Sequence, residues 1–151
     1  MEEFIVIVHL LAAIVWVGGS IALVFVGVPA IRVLEGAPRG RAMHELRLRW
    51  RPLGYGALLL AILTGLYLAS QDRHHGRSPF NTVLWVKVGL TAGLVAASYL
   101  HNFVYGPRLQ AEIREGRPEK TRPTLVAVGW TSLALTITVP ILGAILADLA
   151  N

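Results

Sequence analysis

The sequence predicts an all-α integral membrane protein, a four-helix bundle with both termini outside the cytoplasm. Three observations lead there. Long apolar runs alternate with short arginine-rich stretches along the 151 residues. Only 15% of the residues are charged and mean hydropathy is +0.57, whereas a soluble domain carries roughly 25% charge. Four runs also reach the roughly 17–25 residues that a membrane-crossing helix needs. They fall at about 4–28, 53–70, 82–104 and 125–147, and the length prior makes residues 1–151 one domain.

The first run, Phe4–Val28, follows Met1-Glu2-Glu3. It is acidic where a signal peptide is basic, and longer than a signal core of roughly 7–15 residues, so it reads as an uncleaved span. Pro29 is expected to close this span and Pro52 to open the second. Pro79 precedes the third and Pro123 the fourth, positions where a missing N–H costs little. Pro140 lies inside the fourth span, where a kink is expected. Arg41–Trp50, in the first loop, has the spacing of a short basic helix suited to anionic headgroups or to a solvated linker. No internal repeat or low-complexity segment stands out.

Orientation follows from Lys and Arg in the short loops. The first and third loops hold eleven of them, from Arg32 to Arg51 and from Arg108 to Arg122; the second holds Arg73 and Arg77. Loops one and three are therefore expected in the cytoplasm, with the protein in the cell's inner (cytoplasmic) membrane and lipid as its first partner. The net charge of +5 has the same origin. The basic residues lie in loops between apolar runs, which the positive-inside bias accounts for, so no nucleic-acid partner is expected. Cys is absent, so neither a disulfide framework nor a thiolate metal site exists.

Three titratable side chains interrupt the apolar runs: His9, Lys87 and His101. Ionisable groups inside a membrane are expensive, which makes each a functional candidate. His9 and Lys87 each lie about five residues into spans that run the same way, roughly 8 Å below the outer edge of the apolar layer. Two nitrogen bases at one level suit a metal or a planar metal cofactor. Lysine ligates only as the neutral amine, the form that a low-dielectric setting favours. The competing readings are a snorkelling lysine and a neutral histidine bonded to a neighbouring carbonyl. Trp16, two turns from His9, could wall a flat ligand. Ala13, one turn from His9, completes the expected cofactor-binding set of His9, Ala13, Trp16 and Lys87, with His9 and Lys87 as the metal ligands.

His101 lies about 21 Å deeper than Lys87 and cannot share its iron. It reads as a boundary histidine, with a second site near His44 as the alternative. His74 and His75, beside Asp72 in the second loop, form at most a weak divalent-metal pair. Trp50, Trp85 and Trp130 sit near span ends, where aromatic belts are expected.

Read in order, these residues resemble the CopD-type copper-resistance membrane domain and the HemJ-type protoporphyrinogen oxidase. The resemblance runs from His9-Leu10-Leu11-Ala12-Ala13-Ile14-Val15-Trp16-Val17-Gly18-Gly19, through Arg51 and Leu63-Thr64-Gly65-Leu66, to Leu84-Trp85-Val86-Lys87-Val88-Gly89-Leu90. It covers roughly the first 110 residues. The HemJ-type likeness implies a haem b that depends on His9 and Lys87, with redox chemistry or electron transfer and a redox partner protein, quinone or porphyrin. The CopD-type likeness implies copper uptake. Cu(I) favours sulfur ligands, and the chain offers only Met1 and Met43, so haem ranks above copper. The acidic stretch that enters the last span of the HemJ type is replaced here by Lys120-Thr121-Arg122-Pro123-Thr124. A homo-oligomer is compatible with all of these readings.

Overall fold

The computed structural model describes residues 2–71 and 78–150. Among them every regular element is helical, and four helices are long and apolar enough to cross a membrane: Glu3–Arg32, Gly36–Gln71, Pro79–Arg114 and Arg122–Leu149. The chain is thus an all-α, multi-pass membrane protein. Its helices form two compact units, residues 1–73 and 74–151.

The first unit is a pair. Helix α1 (Glu2–Ala22) passes through a π-helical turn, Leu23–Gly27, into α2 (Val28–Arg32); a short turn then leads to α3 (Gly36–Gln71). Pro29 does not end the first helix. Having no N–H, it cannot continue the i→i−4 ladder, and the helix widens just ahead of it, so that Val28 N–H reaches Leu23 O five residues back. π-turns of this kind absorb a local mismatch without breaking the helix. Gly36, at φ +59°, starts α3 in the left-handed region that glycine enters without a Cβ penalty.

Helix α3 corrects two expectations. Pro52 lies inside it rather than at its start, and Arg41–Trp50 is continuous with the apolar run instead of forming a separate helix. At 1.5 Å per residue this helix is about 54 Å long, against a hydrocarbon layer of about 30 Å. The basic stretch is therefore a rigid extension of a membrane-crossing helix.

The second unit repeats the plan. Helix α4 (Ser78–Tyr99) passes through a π-helical turn, Leu100–Tyr105, into α5 (Gly106–Arg114), and α6 (Arg122–Ala150) returns. Gly106 N–H bonds His101 O five residues back, immediately before Pro107. Gly116, at φ +64°, turns the chain. Glu112 then ties α5 to the start of α6, accepting from Thr121 N–H at 3.0 Å and Thr121 O–H at 2.6 Å. Those two bonds hold the Glu112 carboxyl below the usual carboxylate range, against some desolvation. Pro140 sits within α6, whose helical run continues through it.

Each pair packs through a short set of buried side chains: Ala12, Trp16 and Leu58 in the first, Leu94, Ala97, Leu133 and Leu146 in the second. Large apolar side chains such as Ile14, Leu63, Trp85 and Ile141 point outward and are more than half exposed. An apolar exterior of that kind suits hydrocarbon, not water.

Candidate functional site

His9 lies on the side of α1 that faces α3. Its Nδ1 is 3.0 Å from Thr64 Oγ1. The Thr64 hydroxyl has one proton and gives it to Leu60 O at 2.7 Å, so it accepts from His9 Nδ1–H. That bond fixes the tautomer and leaves Nε2 as the nitrogen with the lone pair. The ring rests on Gly65, where a Cβ would stand 3.0 Å from His9 Cε1. A histidine oriented through one nitrogen, with the other basic, is the arrangement that metal-ligating histidines adopt.

Ala13 and Trp16 share this side of α1, Ala13 half-buried and Trp16 6% exposed. Trp16 is enclosed within the first unit. Trp50 stacks on it at 6.3 Å between ring centroids, and Tyr55 leans against it at 5.8 Å. Its Nε1 is buried with no hydrogen-bond partner. Trp50 is therefore an interior residue and not a belt residue. Its indole fills the space over Gly19 and Gly54, where Cβ atoms would come within 2.0 and 2.6 Å of it. Trp85 and Trp130, by contrast, are exposed.

In the second unit Lys87 turns onto α6. A Cβ at Gly143 would lie 3.1 Å from its Nζ. The side chain is half-buried, so the stem packs across the helix pair instead of reaching along α4.

The two seats correspond. His9 and Lys87 are 78 positions apart, and so are Gly65 and Gly143, Pro29 and Pro107, and the π-turn residues Phe25-Val26 and Phe103-Val104. The chain is a two-helix unit followed by a second unit of the same plan, and each unit aims one nitrogen base at the matching glycine of its returning helix. The repeat is faint in the sequence, because apolar residues interchange freely in membrane helices. Its legible traces are Phe-Val-x-x-Pro, at Phe25 and again at Phe103, and Gly-x-x-Leu-Ala, at Gly65 and again at Gly143.

His101 stands in the second π-turn. Its Nδ1–H donates to Leu125 O at 3.1 Å, and the ring rests on Gly129, where a Cβ would lie 2.9 Å from it. It is thus an interior residue of the α4–α6 pair. His44 is exposed on α3. Asp72, His74 and His75 lie outside the described residues. Among the described residues no three His, Cys, Asp or Glu side chains gather, so a metal held by such protein ligands alone lacks a donor set there. A histidine such as His9 is of the type that ligates haem iron, whose remaining positions a macrocycle largely fills. An open apolar groove of about 440 Å³ runs along the first pair, lined by Val8, Leu11, Val15, Leu53 and Leu60 among others.

Comparison with known proteins finds no matching family, no curated relative and no solved structure of similar fold.

Proposed function

We propose that this chain is a small membrane cytochrome, a haem b protein of the cytoplasmic membrane with both termini external, serving electron transfer or redox chemistry. His9 and Lys87 are its ligand residues. The observation that carries the reading is the correspondence of the two seats, in which a nitrogen base faces the matching glycine in each copy of the helix pair. The Thr64 bond, which leaves His9 Nε2 basic, supports it, as does the resemblance of His9–Gly19 and Leu84–Leu90 to haem- and copper-associated membrane domains. Haem supplies a one-electron iron centre. The chain's own residues orient the imidazole, hold the amine against α6 and surround both with apolar side chains. A redox partner protein, a quinone or a porphyrin would complete the electron path.

An absorption spectrum of the full chain, purified after expression with ample haem supply, tests the proposal. A Soret band that His9→Ala and Lys87→Ala each weaken is the expected result. A colourless protein that retains copper would transfer the site to copper transport. A colourless, metal-free protein would remove the cofactor altogether.

A further inference from the structure

Two arginines of α3 differ from the rest. Among the described residues every arginine is exposed except Arg47 and Arg51, which are half-buried. At helical spacing they continue the stripe of Gly54, Leu58 and Gly65 that α3 turns toward α1. Exposed arginines elsewhere take carboxylate partners: Arg49 with Glu45, Arg117 with Glu115 and Arg122 with Glu119. Arg47 makes no hydrogen bond or ion pair among the described residues, and the charge that bears on it is Arg51, one turn along and of the same sign. A guanidinium keeps its charge in any protein setting, and like charges one turn apart on a helix repel. An anion between them would relieve both the repulsion and the lost hydration.

Their depth identifies the anion. The His9–Thr64 bond fixes the register of the pair. With His9 about 8 Å below one edge of the apolar layer, Arg51 lies about 28 Å and Arg47 about 34 Å from that edge, in a layer about 30 Å thick. The two guanidiniums therefore straddle the opposite edge, where lipid phosphates begin. Leu46, next to Arg47, packs over Gly27 of the π-turn, which places that turn at the same level. Phe25, Val26, Leu48 and Leu53 are exposed around this level, an apolar surface for the acyl chains of a lipid whose phosphate the arginines hold. Toward the middle of the layer the seam is filled by the stacked Trp16 and Trp50.

We propose that Arg47 and Arg51 form a binding site for the phosphate of a net-negative phospholipid in the leaflet opposite His9. A guanidinium matches a phosphate with two parallel N–H donors, and the acyl chains of such a lipid lie against the exposed apolar side chains of the same helices. The site belongs to the first unit alone and does not depend on haem. It narrows the attraction of the basic stretch for anionic headgroups to two side chains that packing holds in place.

The test uses the full chain with phosphatidylglycerol or phosphatidylcholine, counting bound lipid by native mass spectrometry and following thermal unfolding. Phosphatidylglycerol should bind more tightly than phosphatidylcholine. Arg47→Met, which keeps an apolar stem and removes the charge, should weaken phosphatidylglycerol binding about fivefold or more. Arg49→Met, at the same depth but exposed and paired, should change it less than about twofold. In phosphatidylcholine alone Arg47→Met should melt no lower than the parent, because one of two like charges has gone; in phosphatidylglycerol it should melt lower. Equal losses in Arg47→Met and Arg49→Met would reduce the site to a general attraction and overturn the proposal. Arg47→Met melting lower in both lipids would assign the guanidinium to the fold instead. Inorganic phosphate that stabilises the parent in phosphatidylcholine as well as phosphatidylglycerol does would replace the lipid with a soluble anion.

Discussion

His9 Nδ1 and Thr64 Oγ1 stand 3.0 Å apart, and because Thr64 gives its proton to Leu60 O, the imidazole must present Nε2 as its base. Thr64→Val keeps the shape and removes the acceptor. If His9 ligates haem, affinity should fall about 10–100-fold, as is usual when a ligand's orienting partner is lost. Haem titration of the stripped protein measures this. Unchanged affinity would mean that the hydroxyl does not orient the ring.

The glycine seats lead to a paired prediction. Gly65→Val and Gly143→Val should push His9 and Lys87 off the returning helices and weaken the Soret band. Gly18→Val and Gly89→Val serve as controls, since a Cβ there meets nothing within 4 Å. Equal spectra in all four variants would show that the seats have no part in binding.

A Cβ at Gly19 would come within 2.0 Å of the Trp50 indole, which is already stacked on Trp16. Gly19→Ala should therefore destabilise the first helix pair by about 1–3 kcal/mol, the usual cost of overpacking. Trp50→Ala combined with Gly19→Ala should recover the clash energy, so that the double variant is more stable than the two separate losses would predict. Thermal unfolding in detergent reads both.

Glu112, beyond the apolar part of its helix, should make the α5–α6 turn acid-sensitive. Its carboxyl is depressed by the two Thr121 hydrogen bonds. The stability it contributes is therefore present above the unfolded carboxyl value and is lost as pH falls through the lower folded one. Hydrogen exchange at Thr121 and Leu125 should accelerate on acidification in the parent chain. Glu112→Gln should show faster exchange already at neutral pH and a flatter pH profile.

Hydropathy alone revealed the four helices, because a membrane helix must satisfy its own backbone and clothe it in apolar side chains. Helix ends were harder to place. Pro29 was expected to close the first span and Pro52 to open the second, yet the chain runs through Pro52 and widens into a π-turn before Pro29, as it also does before Pro107. His9 and Lys87 stood out because charge is costly in an apolar run. The partners that seat them, Gly65 and Gly143, did not. A glycine's role as the floor beneath another side chain is fixed by tertiary contact and has no local signature. Trp50 was misread for the same reason: its position near a span end suggested the interface, whereas two glycines far apart in sequence had made room for it inside.

Fusing two copies of a hairpin into one polypeptide frees each from the other's mutations. A homodimer of the first unit could offer only two identical imidazoles, one per copy. The linked chain can keep a histidine in one half where the matching position of the other is lysine, and a serine in one seam where the other has Gly54. Unlike bases at matching positions are open to such a molecule because each half has its own stretch of sequence.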